Sequence, residues 1–223
     1  MTIMANQQDL QKEYDLRFEA MQEYRENVWE VLVREYFGKW IPKQSTVLDL
    51  GCGWGEFINT IDCQTKYGMD LNPRSREKLQ PSVSFLQQDC SEVWKVQEAS
   101  LDFVFTSNFF EHLPKKESLT RTLAQAHRCL KKGGAIICMG PNIRYLPGAY
   151  WDFYDHYLPL THLSLKEGLR MSGFTVETCI DRFLPYTMAD GTQPPLWMVS
   201  LYLKIPFVWR ILGKQFLLVG RKI

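Results

Sequence analysis

Apolar residues are distributed along this chain in two alternating patterns. Short runs, Val47–Leu50, KYGMD at 66–70, VSFLQQD at 83–89, LDFVFTS at 101–107, GGAIICMG at 133–140 and FTVETCI at 174–180, have the length and residue types of buried strands, and KQFLLVGRKI closes the chain as a seventh. Between them apolar positions recur every three or four residues. Leu119, Leu123, Ala126 and Leu130 make one stripe, which Gly133 can terminate; Ser164 with Glu167 reads as a capping box opening a helix that ends near Gly173. Strand–helix alternation of this kind predicts an α/β protein with a sheet covered on both faces. A stripe of Leu10, Tyr14, Met21, Tyr24, Val28, Leu32 and Tyr36 predicts a helical extension over residues 1–42, with Pro42 and Lys43 as the link into the first strand.

The most specific segment is TVLDLGCGWGEF at 46–57. A strand ending in Asp49 and Leu50 runs into Gly51, Gly53 and Gly55, where glycine tolerates positive φ and lets backbone pass close to a ligand. A dinucleotide fingerprint would need its third glycine one residue later, at the position held by Glu56, so a pyrophosphate reading weakens. A carboxylate just before the turn suits a cationic ligand instead. Further acids stand at strand ends. Asp70 closes the second strand, where it could take both hydroxyls of a ribose, and Asp89 closes the third; Asn108, Glu111 and His112 follow the fourth.

Together these residues resemble the class I S-adenosylmethionine-dependent methyltransferases, from about Val47 to Gly140 and more loosely to the C-terminus. The resemblance implies a Rossmann-like seven-stranded mixed sheet of order 3-2-1-4-5-7-6 with strand 7 antiparallel. It places Asp49, Gly51, Cys52, Gly53 and Gly55 around the methionine part of S-adenosylmethionine, Asp70 at the ribose, Asp89 and Cys90 at the adenine, Phe109 and Phe110 over the cofactor, and Leu71 and Asn108 among the cofactor-binding residues. Tyr14 and Arg17 on the N-terminal helix are expected to close that site, the arginine through a bidentate contact with a carboxylate. S-adenosylhomocysteine would be the product left behind.

Composition fits one enzyme domain over 1–223, with the cofactor core at 43–140. A hydrophobic content of 45% supports a sizeable core, and a net charge of +1 argues against a dedicated nucleic-acid binder. Six cysteines without a CxxC pair read as reduced thiols of a cytoplasmic protein, and no histidine lies at metal-ligand spacing from them, so no metal is expected. MTIMANQQDLQKEY lacks an apolar core of signal-peptide length, and no segment reaches the length of a membrane span.

Two segments depart from a minimal member of the resembled family. The loop at 141–163 follows the fifth strand and hangs over the edge where an acceptor must be presented. Tyr150, Trp151 and Tyr154 could stack on a sugar or aromatic ring, with Asp155 bonding its hydroxyls. An aliphatic hydroxyl hardly ionises at neutral pH, so a base is needed: His162 is the first expectation, His156 the second, and Glu111 with His112 an alternative or supporting pair. The insertion at 182–213 mixes tryptophan and leucine with basic residues, and no acid follows Asp190. It could cover the core, form a homodimer contact, or rest on the inner face of an anionic membrane with a lipid-linked acceptor.

The tail, THLSLKEGLRMSGF with RFLPY and GKQFLLV, is similar to methyltransferases associated with bacterial surface-glycan gene clusters. That similarity implies O-methylation of a sugar hydroxyl on a small molecule or glycan precursor, with no nucleic acid as partner. A quinone, lipid or amine acceptor is the nearest alternative, and a non-catalytic S-adenosylmethionine-binding regulatory or assembly subunit is the alternative of another class.

Overall fold

The computed structural model describes residues 21–186 and 192–223. Seven strands form one sheet in the order β3-β2-β1-β4-β5-β7-β6: β1 Thr46–Leu50, β2 Thr65–Asp70, β3 Val83–Gln87, β4 Leu101–Ser107, β5 Leu130–Pro141, β6 Phe174–Ile180 and β7 Gln215–Lys222. Strand β7 runs antiparallel to both β5 and β6, and the remaining pairs are parallel. The register aligns Leu50 with Met69, Asp49 with Phe105 and Ser107 with Met139. The carboxyl ends of β2, β1, β4 and β5 therefore open along one edge, and the candidate chemistry at 49–56, 70, 108–112 and 140–142 collects there.

Burial on both faces explains why these strands are almost continuously apolar. Leu48, Leu50, Val104, Ile136, Cys138, Phe216 and Leu218 pack on one side, against α4 (Lys116–Cys129) and α5 (His162–Met171) through Leu119, Leu123, Leu165 and Leu169. Val47, Phe105, Ile137, Met139, Leu217 and Val219 pack on the other, against α1 (Gln22–Glu35) and α2 (Glu56–Thr60). Short α3 (Ser75–Lys78) follows β2. On the second face Phe57 stacks on Phe105 with ring centroids 3.7 Å apart, and Trp29 meets Phe105 edge-on at 5.8 Å, so α1, α2 and β4 share one aromatic joint.

Several local expectations shift. The α4 stripe of Leu119, Leu123 and Ala126 is buried as expected, but the helix ends at Cys129, because Leu130 is taken into the sheet opposite Leu101. Helix α5 starts at His162 with Thr161 as its cap. Thr161 Oγ1 accepts the Ser164 N–H at 3.1 Å, and Ser164 Oγ accepts the Thr161 N–H at 2.9 Å, so Ser164 closes the box instead of opening it. Gly173, at φ 90°, does end that helix region. Helix α1 buries Trp29, Val31 and Val33 beside Leu32, a wider face than the predicted stripe. The 182–213 insertion contains α6 (Leu196–Lys204) and α7 (Pro206–Leu212), which plant Leu203 and Trp209 in the second core cluster. Truncating the shared joint by Phe105→Ala is expected to cost ~3–5 kcal/mol in urea unfolding, and a loss below ~1 kcal/mol would mean that the joint carries little.

Candidate active site

The Gly51–Gly55 turn is built as its glycines require. Their φ angles are 70°, 51° and 81° at Gly51, Gly53 and Gly55, a region where a β-carbon is strained. The N–H groups of Gly51 and Cys52 both donate to the Met69 carbonyl, at 2.9 and 3.0 Å, clipping the turn to the end of β2. A β-carbon on Gly51 would collide with the ring of Phe109, which crosses from β4 to lie against the bare backbone. Asp70 is held from both oxygens: Oδ2 accepts the Gly53 N–H at 2.9 Å and Oδ1 the Asn72 N–H at 2.9 Å. Its remaining lone pairs point to the role of a two-hydroxyl acceptor.

Three carboxylates crowd this turn. Asp49 and Glu56 are buried, at 4% and 8% exposure, and Asp70 is half-buried. Burial pushes the Asp49 carboxyl well above its ordinary pKa, the charges of Glu56 and Asp70 add to the rise, and a hydrogen bond from the Ile58 backbone opposes it. Burial also raises Asp70, against the N–H donors of Asn72 and Gly53. Among the described residues the cation paired here is Arg25 of α1, whose Nη2 lies 2.6 Å from Glu56 Oε1. Among the described residues the turn carries more acid than base, which suits a ligand carrying a sulfonium and an ammonium group. Asn108 supplies a second sign of fit. It holds a left-handed φ of 48°, its side-chain amide donates to Ser107 Oγ at 3.2 Å, and its buried Oδ1 has no partner among the described residues. An ammonium donor would satisfy that oxygen.

The further positions expected at the cofactor differ in exposure. Leu71 is 63% exposed beside Asp70, an apolar surface suited to a base. Asp89 is exposed, and its Oδ1 accepts the Ser91 N–H at 2.7 Å. Cys90 is buried, its thiol pushed up to about 11 by burial, and its carbonyl accepts the Trp94 indole N–H at 2.7 Å.

A second cluster begins one turn beyond Asn108. Glu111 is buried, and burial pushes its pKa up to about 7 against the opposing influence of His112 and its own N–H. His112 Nδ1 lies 3.0 Å from the Asp155 carbonyl and 3.3 Å from Asp155 Oδ2. Burial works against the protonated ring, but the hydrogen bond and charge of Asp155, with the charge of Glu111, leave the His112 pKa raised. With Nδ1 committed to oxygen acceptors it carries the proton, and Nε2 keeps the lone pair. His156 Nδ1 lies 2.8 Å from the Tyr150 carbonyl, and its ring stacks on Phe153 at 4.9 Å. Glu111, His112 and His156 offer ligand atoms within 4.8 Å of one another. The loop is tied to this cluster through the Glu111 carbonyl, which accepts the N–H groups of Tyr157 and Leu158 at 2.8 and 3.0 Å.

His162 lies outside that cluster's hydrogen bonds. Its Nδ1 is 2.9 Å from Asn142 Nδ2; Asn142 Oδ1 accepts the Arg144 N–H, which fixes the amide and makes Nδ1 the acceptor. Nε2 then bears the proton, and burial lowers the pKa, so the ring is a neutral tie between α5 and β5. Tyr150, expected against the acceptor, is fully buried with its hydroxyl on the Leu158 carbonyl at 2.6 Å; it supports the loop from within. Trp151 and Tyr154 are 53% and 75% exposed and remain available to a ligand, while Asp155 turns inward to His112. Tyr14 and Arg17 lie outside the described residues. Arg25 belongs to no motif, yet it stands at a stripe position with Met21, Val28 and Leu32, and a cation in an apolar stripe signals a buried partner. Glu56 stands out in the sequence only as the residue in place of a fingerprint glycine.

Residues 21–178 match a family model described as a methyltransferase domain. Comparison with curated proteins finds no match. Solved structures share the fold. A Thermotoga maritima S-adenosylmethionine-dependent methyltransferase, described as a possible histamine N-methyltransferase, has a TM-score of 0.68 at 16% identity over 96% of this chain and 99% of its own. An Archaeoglobus fulgidus S-adenosylmethionine-dependent methyltransferase scores 0.65 at 21% identity, covering 92% and 99%. A Haloferax volcanii structure described as a complex of the Trm112 methyltransferase activator with a methyltransferase scores 0.65 at 20% identity, covering 93% and 94%. Asp70→Asn is expected to weaken S-adenosylmethionine binding about tenfold or more in calorimetry with the fold unchanged; equal affinity would remove Asp70 from the site.

Proposed function

We propose, from the premise that this chain belongs to the methyltransferase-domain family and uses S-adenosylmethionine as its methyl donor, that it is an O-methyltransferase acting on a hydroxyl of a sugar or glycan precursor. The observation that carries this reading is the His112–Asp155 pair beside buried Glu111, at the carboxyl edge of β4 next to the acid-lined turn. The cofactor supplies an electrophilic methyl carbon and needs no activation by the protein. A hydroxyl acceptor, by contrast, must lose a proton as its oxygen forms the new bond. An amine with a free lone pair has less need of that service.

In this reading His112 Nε2 takes the hydroxyl proton. Asp155 holds the ring in the tautomer that leaves Nε2 unprotonated and stabilises the imidazolium that forms, while Glu111 adds negative charge alongside. His156 packs edge-on against His112 at 5.1 Å and keeps that ring in place. His162 leaves the catalytic assignment because its accepting nitrogen is spent on Asn142. Exposed Trp151 and Tyr154 would stack on the apolar face of a sugar ring and exclude water from it, which is how positioning contributes to rate.

His112→Ala is expected to lower turnover by roughly 10²–10⁴ while S-adenosylmethionine affinity stays within about twofold, measured by product mass spectrometry over nucleotide sugars, polyprenyl-linked sugars and quinones. Turnover unchanged in that variant would sink the base assignment; methylation of quinones or amines alone, or of nothing, would sink the sugar reading or the enzyme reading respectively. Dialysis against a chelator separates direct proton transfer from metal-assisted transfer at Glu111, His112 and His156. Direct transfer expects no loss.

A further inference from the structure

The helices α6 and α7 are apolar on two sides. Inward, Leu196, Val199, Leu203 and Trp209 pack on the second core cluster. Outward, Trp197, Leu201 and Ile205 recur at intervals of four on α6 and its end, and Phe207 and Ile211 repeat that interval on α7, all between 39% and 72% exposed. With Met198 and Leu212 the segment holds seven of the fifteen exposed large apolar side chains among the described residues. A concentration of this kind marks a contact surface.

The charge carried by the segment itself has one sign. Lys204, Arg210 and Lys214 are exposed, and residues 192–223 contain no aspartate or glutamate. The nearest acids stand on α1, where Glu35 Oε2 lies 3.7 Å from Lys204 Nζ and Glu30 lines a crevice with Trp197. Two copies meeting through this face about a two-fold axis would set cation against cation. An anionic surface would not.

The segment is also rigidly mounted. Arg182 Nε and Nη2 donate to the carbonyls of Gly213 and Ile211 at 2.8 and 2.6 Å, the Tyr202 hydroxyl to the Phe183 carbonyl at 2.6 Å, and the Trp209 indole N–H to the Tyr202 carbonyl at 2.8 Å. At 1.5 Å per residue the helices are about 14 and 10 Å long, short of the ~30 Å of a hydrocarbon core. Among the described residues no helix is long and apolar enough to cross a membrane. Tryptophan, phenylalanine and isoleucine beside lysine and arginine on short helices is the make-up of an element that lies in the interface. Because β6 and β5 run parallel, α6 and α7 emerge from the same sheet edge as the active site.

We propose that α6 and α7 form a preformed platform that docks the protein on an anionic phospholipid bilayer, with the active-site edge of the sheet on the docked side. The docking is independent of the acceptor's identity; its corollary, that the hydroxyl acceptor is carried on a lipid, rests on the O-methylation reading.

The test is sedimentation of the full chain with vesicles of phosphatidylcholine alone and of phosphatidylcholine with 30% phosphatidylglycerol. Binding is expected on the anionic vesicles and weakly on the neutral ones, falling as salt rises. Arg210→Ala with Lys214→Ala should weaken it roughly 25-fold, at about fivefold per basic residue, and Phe207→Ser with Ile211→Ser by about tenfold or more. All four side chains are exposed, and circular dichroism checks that the variants fold. Both variants should methylate a water-soluble acceptor as well as the parent does, which keeps a failure of docking distinct from a failure of the enzyme reading. No sedimentation with anionic vesicles, or binding that neither variant reduces, overturns the proposal. Lipid-free self-association abolished by Phe207→Ser with Ile211→Ser overturns it in favour of a second copy.

Discussion

The contact between Phe109 and the backbone of Gly51 is the constraint on which the site depends. A ring can lie there only because residue 51 has no side chain and the chain turns through positive φ. The contact joins the end of β4 to the end of β1. Through it the acid-lined turn and the His112 cluster, separated by about sixty residues of sequence, meet at one edge of the sheet. Sheet register brings the strand ends level, but the bare backbone lets them close on each other.

Electrostatics then divide that edge. Asp49, Glu56 and Asp70 gather three carboxyl groups where burial penalises charge and raises Asp49 and Asp70, with Arg25 paired to Glu56. A cationic ligand is the natural counterweight, so the protein stores in its unliganded state part of the preference it shows for its cofactor. At the far end Asp155 and Glu111 work on a histidine, whose neutral form is the useful one. The two halves use carboxylates for opposite ends, attraction of a fixed charge and management of a mobile proton.

Much of the architecture was legible from the apolar pattern because two-sided burial writes itself into each strand. The order 3-2-1-4-5-7-6 came from family resemblance and is the order observed. Helix ends were harder. Thr161 and Ser164 can both start a capping box, and only packing of Leu165 and Leu169 against the sheet selects the earlier start. At the site, the pattern offered candidate residues but not the roles of their nitrogens. His112 and His162 look alike in sequence; that one leaves Nε2 free and the other spends Nδ1 follows from Asp155 and Asn142, whose positions are tertiary facts. Tyr150 misled for the same reason, since an aromatic in a loop can face inward as readily as out.

The backbone of the loop between β5 and α5 is fastened to the Glu111–His112 cluster at the Glu111 carbonyl, which receives the N–H groups of residues 157 and 158, and the Asp155 contact with His112 adds a second tie. Side chains take no part in those two bonds. The stretch before them can therefore change its aromatic surface without disturbing how the base is held, provided Asp155 and His156 stay. A scaffold fastened in this way separates the evolution of what is recognised from the upkeep of how it reacts, and makes the loop a natural unit for exchange between related enzymes.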